Sequence, residues 1–582
     1  MKKIFILLVL LSTSLTLSAG PIGEARAREI AEAFFAENAT TRSATTIELE
    51  WAGESITAPM TRANNFDDAL IYIYTRGESD GFVIIAGDDS INPIIAYSFD
   101  TTIDSDNMAD ATKAIIDAWG AQIKAVREGT LQMNTTTHVT TRYGGELLYE
   151  TALWNQDDPY NREAPVIDGE RSVTGCVATA MSIICYYNKW PKSGVGTTPE
   201  YTYNDAYDHT HTIAANTLGR TYNYNYMLAN YANGFNTTQA NAVAALMKDV
   251  GTAVHMQYHP DASGAYDIDV PKALIEYFGY SKQCYLANRD GYSSVNWYDT
   301  MRENLNNFGP TYYSGGGDQG GHAFVVDGYA PGDYFHFNFG WGGYGNGHFL
   351  FPEIEFYDRQ VALLNLEPDS DGTSKYRDNI QLYAFTQSNG LNMRGITTDA
   401  DAYVANSSFN IHFGAFTNNG ARAFSGEIAL FHCDKNGEWK ETLFTMTVDN
   451  LDILHYTYRY WPQEVSIGDI EEGDLLRAYF KSSDSDEWIW ARAYNSEADD
   501  EIEICATPER VAENLIFTYD KTENAIYLYS PDAYQVDIDN GAGSGAFTGH
   551  TAAYIPSELL GEGEHIIKIS CSGRPYELKV KL

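Results

Sequence analysis

Apolar residues recur at helical spacing over residues 22–38, and the pattern then switches to alternation. Ile47, Leu49 and Trp51 are separated by Glu48 and Glu50, which predicts a strand with one buried face. Two further apolar runs, Ala69–Thr75 and Phe82–Ala86, flank a turn from Gly77 to Gly81 and predict a hairpin. A helical stripe of Ile115, Trp119, Ile123 and Val126 follows between about Ala109 and Glu128. Together these elements predict an α+β domain over residues 20–142, able to fold alone and without a catalytic set. Residues 131–142 are polar, threonine-rich and without period, which predicts an accessible linker.

The longest apolar stretch of the middle region runs from Cys176 to a stop at Pro191. Val177, Ala178, Ala180, Met181, Ile183 and Ile184 make it apolar almost all round, so it predicts a buried helix. Gly175 allows a sharp turn before it, and Pro191 cannot continue it. Helical patterns recur near 238–250 and 270–278. A glycine-rich loop, residues 314–321, then leads into His322. The alternating runs His322–Gly328 and Tyr334–Gly340 flank a Pro-Gly turn and predict a hairpin. With Gly328 opposite Gly332, His322 falls opposite Asn338 on one face of the sheet. Beyond residue 370 short strands recur (Phe409–Thr417, Gly426–His432, Thr442–Val448, Leu475–Lys481, Trp488–Ala493) between Asn-Gly and similar turns. That spacing predicts an all-β, immunoglobulin-like sandwich over 371–505 and a small β domain over 506–582.

Composition narrows the function. The chain has 582 residues, too many for one core, and a net charge of −41. So acidic a chain lacks the basic surface that nucleic acid requires, so no nucleic-acid partner is expected. Six cysteines (Cys176, Cys185, Cys284, Cys433, Cys505, Cys571) are too few for a disulfide-built scaffold. Lys2, Lys3 and the short apolar run Ile4–Leu11 predict a signal peptide over residues 1–19, hence export, with no transmembrane segment after its removal. His209, His211 and Asp208 lack further ligands at metal spacing and read as a solvated loop. No metal and no cofactor is expected.

A thiol at a helix start sees unpaired backbone N–H groups and the positive end of the helix dipole, and both favour thiolate. Cys176 is therefore a candidate nucleophile, with a small buried structural cysteine as the competing reading. Cys185 and Cys284 read as structural. A thiolate needs a base, a group that orients the base, and donors for the oxyanion. His322, Asn338 and Gln156, with the Cys176 backbone N–H, are the candidates for those roles.

The stretches around these residues carry a resemblance. Thr174-Gly-Cys-Val-Ala-Thr-Ala180, Gly320-Gly-His-Ala-Phe-Val-Val-Asp-Gly328, His336-Phe-Asn-Phe-Gly-Trp-Gly-Gly343 and Trp154-Asn-Gln-Asp-Asp-Pro-Tyr-Asn161 resemble the streptopain family of secreted cysteine peptidases over residues 20–366. The resemblance implies a papain-like peptidase domain (143–370) behind an inhibitory pro-domain, made as a zymogen that acts on protein or peptide substrates. It also implies broad endopeptidase activity favouring an apolar residue at the second position before the cut. It assigns Cys176 as nucleophile, His322 as base, Gln156 as oxyanion donor and Asn338 as the orienting asparagine. Gly321, Gly264 and Trp341 are implied in the substrate cleft, Gly264 standing where the family has serine. Phe339 replaces the family's usual tryptophan after the asparagine, which implies altered activity. The alternative is a weak or inactive protease-like adhesin that binds through its C-terminal β domains. The pro-domain is expected to lie across the Cys176–His322 cleft until it is cut away.

Overall fold

The computed structural model describes residues 20–38, 46–57, 68–77, 80–106, 108, 110–131, 145–205, 208–292, 294–317, 320–351, 358–386, 392–398, 408–458, 463–468, 470–471, 473–494, 498–504, 509–512, 515–520, 525–530, 534–538, 543–547, 551–556, 564–571 and 574–581. The expected signal peptide, nearly all of the expected linker, Asp318, Gln319 and Cys505 lie outside these residues. The chain divides into two compact units, one of residues 1–266 and 294–360 and the other of 267–293 and 361–582.

The first unit is built on one antiparallel sheet. Its strands run, side by side, Ile47–Gly53, Ile71–Arg76, Phe82–Ala86, Ile94–Ser98, Gly347–Phe349, Tyr334–Asn338, Gly320–Ala330 and Thr311–Gly317. The first four belong to the N-terminal region and the last four to the middle region, so a single sheet crosses from one to the other. The helix Glu24–Asn38 covers the N-terminal strands with Ala27, Ala31 and Phe35, spaced four apart on one face. These meet Tyr72, Tyr74, Val83 and Ile85, and burying Phe35 alone is worth roughly 1.5–3 kcal/mol. The helix Cys176–Asn188 packs against the Gly320–Ala330 strand and against the helix Thr237–Ala253. Nine consecutive residues of that helix, Val177 to Cys185, are buried, as its all-round apolar pattern requires.

The hairpin carrying His322 has a different register from the one expected. Ala330 lies opposite Tyr334, Gly328 opposite His336 and Val325 opposite Asn338. His322 is opposite Gly315 of the neighbouring strand instead. Two features account for the shift. Pro331 cannot donate to the ladder, so the turn is made of Pro331, Gly332 and Asp333, the last two at φ 90° and 67°. A bulge between Val326 and Gly328 then takes back one residue of that shift.

The second unit is mostly β. It contains the helix Asp269–Phe278 and a sandwich whose core includes Ile411, Phe416, Ile428, Leu430, Leu476 and Phe480. The expected strand over Phe409–Thr417 is two, Ser408–Phe413 and Ala415–Asn418, broken where Gly414 N–H donates to Gly395 O at 2.5 Å. Residues 509–581 form two four-stranded antiparallel sheets. The Cys433 thiol is free and buried.

The seam between the N-terminal strands and the middle region is a strand addition. Tyr97 pairs with His348 and Ala96 with Phe349, while Leu350 N–H donates to Ile95 O at 3.0 Å. The Tyr334 hydroxyl donates to Ile94 O at 2.7 Å, and Trp119 Nε1 to Leu350 O at 3.3 Å. Gly345 N–H donates to Thr102 O. A Cβ at Gly347 would stand 2.6 Å from Tyr97 O, so only glycine permits this approach. Among the described residues these contacts run along the sheet edge and the loop of Gly345.

The seam buries a titratable group. The His348 ring stacks on Tyr97 (centroids 5.0 Å, planes 14° apart), and its Nε2 is buried with no hydrogen-bond partner. Facing it is His336, 5.0 Å away, which burial pulls down but Asp327 and, more weakly, Asp100 carry above the ordinary histidine range. Tyr97, raised by burial and by Glu146, stays neutral. Burial, with the charge of His336, pushes His348 from 6.5 down to about 3. The docked seam therefore holds His348 neutral, and its full stability is present above pH 6.5 and is lost as pH falls toward about 3. Each pH unit in that window costs up to about 1.36 kcal/mol, or tenfold. In the full-length Cys176→Ala chain, exchange protection of the Ile94–Ser98 amides should fall about tenfold between roughly pH 7.5 and pH 5.5 after correction for intrinsic rates. His348→Phe should remove that dependence. Equal protection at both pH values would refute an acid-labile seam.

Candidate active site

Cys176 is the first residue of its helix, and Gly175 stands before it at φ 84°, ψ 146° with no side-chain cap. The first-turn N–H groups are therefore not consumed by a capping side chain. Glycine is required at 175 twice over. The φ is one that side chains avoid, and a Cβ would lie 2.6 Å from Met256 Sδ and 2.9 Å from Ser263 O. Thr179 locks the turn from inside, its hydroxyl 2.9 Å from Thr174 Oγ1 and 2.9 Å from Gly175 O. Neither Cys176, which is partly exposed, nor Cys185, fully buried on the same helix, is in a disulfide.

Two loops flank residues 172–175, which lead into Cys176. On one side Thr174 N–H donates to Gln156 O at 3.1 Å, which ties the Gln156 segment to the residues just before the thiol. Gln156 is 4% exposed. On the other side Val173 N–H donates to His259 O, and the Ser263 hydroxyl donates to Val173 O at 2.8 Å. Gln257 and Gly264 exchange both backbone hydrogen bonds, and a Cβ at Gly264 would meet nothing within 4 Å. Gly264 thus borders open space beside the segment that leads into Cys176.

His322 is 4% exposed. Its ring lies near-parallel to Trp341 (centroids 5.7 Å, planes 13° apart) and to Phe324 (6.1 Å, 22°), with Phe339 at 6.3 Å. Its Nε2 meets the main-chain oxygen of Phe339 at 2.9 Å. A carbonyl can only accept, so Nε2 carries the proton and the lone pair of the neutral ring is on Nδ1. Burial pushes the imidazole down to about 4, partly opposed by the Phe339 carbonyl, so the ring is neutral at pH 7 in this state.

Asn338 does not lie opposite His322. Its amide nitrogen donates to Thr151 Oγ1 at 2.8 Å and Ala152 O at 2.9 Å, and its oxygen accepts from Gly340 N–H at 3.2 Å. The group touching the imidazole is the carbonyl of the next residue, which residue-type reasoning misses because a backbone oxygen has no letter in the sequence. Trp341, expected in the substrate cleft, lies against the histidine ring. Gly321 is exposed and pairs with Gly316 in the strand just before His322. Phe339 is fully buried.

Away from these residues, Asp168, Asp205 and His209 bring ligand atoms within 4.8 Å of one another. Asp205 is already engaged by His209 at 3.3 Å and by His211 at 3.0 Å.

The helix that begins at Cys176 packs against the strand that holds His322, and comparison with known proteins places the chain among the cysteine-type peptidases. Residues 154–349 match the Peptidase C10 family, and residues 19–123 match the Spi protease inhibitor. Streptopain of Streptococcus pyogenes is 32% identical over 295 residues, covering 48% of this chain and 73% of streptopain. The chain belongs to the Peptidase C10 family, behind an inhibitor domain of the Spi type. Thiol protease/hemagglutinin PrtT of Porphyromonas gingivalis is 35% identical over 363 residues, which are 60% of this chain and 41% of that relative. Among solved structures, a fragment of Prevotella intermedia prointerpain A is 26% identical with a TM-score of 0.46, covering 57% of this chain and all of the fragment. Among the described residues no helix is long and apolar enough to cross a membrane.

Proposed function

We propose that the protein is a secreted cysteine endopeptidase, made as a self-inhibited zymogen, that hydrolyses protein peptide bonds through Cys176 and His322. The single observation carrying this reading is the bond from His322 Nε2 to the Phe339 carbonyl, 2.9 Å, in a ring otherwise walled by aromatics. That bond leaves Nδ1 as the only nitrogen able to take a proton from the thiol. The Cys176 thiolate attacks the substrate carbonyl, and the imidazolium returns its proton to the departing amine. His322 then deprotonates the water that releases the acid product. Gln156 and the Cys176 backbone N–H supply the oxyanion donors. Gly321 and Gly264 present open backbone to an extended substrate, and Trp341 keeps water from the imidazole.

Latency follows from the same features. The inhibitor domain docks edge-on to the strand next to the one that ends at Asn338 and touches the loop beginning at Trp341. A histidine depressed to about 4 is a poor partner for a thiolate, which needs an imidazolium beside it. The basic start and apolar run of residues 2–11 support export. The β domains after the catalytic region are accessory modules, and the substrate preference is for an apolar residue two positions before the cut.

Cys176→Ala should abolish peptide hydrolysis and leave a full-length precursor in a timed N-terminal readout of purified protein. Cys185→Ala should process normally, losing about 2 kcal/mol or less as a small core truncation. Cleavage by purified Cys176→Ala at the wild-type rate would sink the assignment. Gln156→Ala should lower kcat by 10²–10³, roughly 2.7–4 kcal/mol, with little change in KM. A pure KM effect would assign Gln156 to substrate binding instead.

A further inference from the structure

We propose that Thr151 and Asp327 are positioning residues for the histidine base, acting through Asn338 and the Phe339 carbonyl. The inference rests on His322 being the base, as proposed above, and goes beyond it by naming what aims the ring.

The imidazole is held by a main-chain oxygen, so its aim is set by the backbone of residues 338–340. That backbone is clamped from three sides. The Asn338 oxygen accepts from Gly340 N–H, closing a tight turn around Phe339. Phe339 N–H donates to Asn346 Oδ1 at 3.0 Å. Gly340, at φ 73°, leaves room for Thr179 of the nucleophile helix, whose Cγ2 would be 3.1 Å from any Cβ there. The Asn338 amide nitrogen reaches outside this turn, to Thr151 and Ala152.

Thr151 then fixes the direction of the line. Its hydroxyl has one proton, and it accepts from Asn338, so that proton goes to its other neighbour, Asp327 Oδ2. Asp327 is 1% exposed, and its second oxygen is 2.5 Å from His336 Nδ1. Its backbone carbonyl also takes Tyr149 N–H at 2.9 Å, anchoring the 149–151 segment to the histidine strand itself. A buried carboxylate is tolerated here because His336 sits against it and two donors fill its oxygens. The order of dependence is Asp327, Thr151, Asn338, the Phe339 carbonyl, then the His322 ring. A hydroxyl between two fully buried partners cannot be replaced by water without moving one of them.

The test uses the full chain matured by added wild-type enzyme, comparing Thr151→Val, Thr151→Ser and Asp327→Asn. Thr151→Val keeps the shape and removes the hydroxyl. It should lower kcat by up to about 10²-fold, the effect expected of a misplaced base, with KM changed by less than about threefold. Thr151→Ser should restore kcat to within about threefold of wild type, which a loss of packing alone would not allow. Asp327→Asn should also lower kcat and shift the acid limb of the kcat pH profile. If Thr151→Val fails to fold, Thr151→Ser and Asp327→Asn still decide. Wild-type kcat in Asp327→Asn, or equal losses in the Val and Ser variants, would overturn the proposal. His322→Ala, assayed alongside, separates the two readings: if it stays active the base assignment itself has failed, and if it is dead while Thr151→Val is normal only the positioning line has failed.

Discussion

One hydrogen bond organises the catalytic region, that between His322 Nε2 and the Phe339 carbonyl. It decides which ring nitrogen carries the proton, and so which one would act on the thiol in the proposed chemistry. A side-chain amide in this place could accept or donate after rotating, and the tautomer would follow the rotation. A carbonyl leaves no choice. The constraint then passes from side-chain chemistry to backbone geometry, because the carbonyl moves only if the turn at 338–340 moves. The glycines at 175 and 340 follow from the same demand, since both let the nucleophile helix approach its neighbours more closely than any side chain would permit.

The inhibitor domain uses an equally simple device. A sheet edge is a row of unpaired backbone groups, and Ile94–Ser98 completes the edge offered by Gly347–Phe349. This attachment is independent of the substrate-like shape that filling a cleft would require. It lies next to the strand ending at Asn338, so docking and catalysis share a sheet. His336 and His348 sit where the two meet: burial lowers the first but Asp327 carries it upward, while burial and the neighbouring His336 both lower the second.

Much of this was legible in the sequence. The helix after Gly175 is buried from Val177 to Cys185, as its composition demands, and the two apolar runs of the expected N-terminal hairpin are the paired strands Ile71–Arg76 and Phe82–Ala86. Local pattern reported these well because each depends on its own residues. The hairpin register did not follow, because it turns on where Pro331 falls and on a bulge at Val326–Gly328, neither visible in the alternation of apolar residues. The partners of Asn338 are 186 and 187 residues away in sequence, and no spacing rule reaches them. In sequence His336 and His348 are two histidines on separate apolar runs. Their meaning appears only when Tyr97, from a different region of the chain, closes over them.

The central claim is that one thiol and one imidazole perform the chemistry, and stoichiometric labelling tests it most directly. Mature protein treated with a thiol-directed peptide epoxide should take up one equivalent, carried by Cys176 in a peptide map, with hydrolysis falling in proportion to the label. The same reagent should leave the buried Cys185, Cys284 and Cys433 untouched. Full modification of Cys176 with hydrolysis undiminished, or inactivation with the label on another cysteine, would contradict the account.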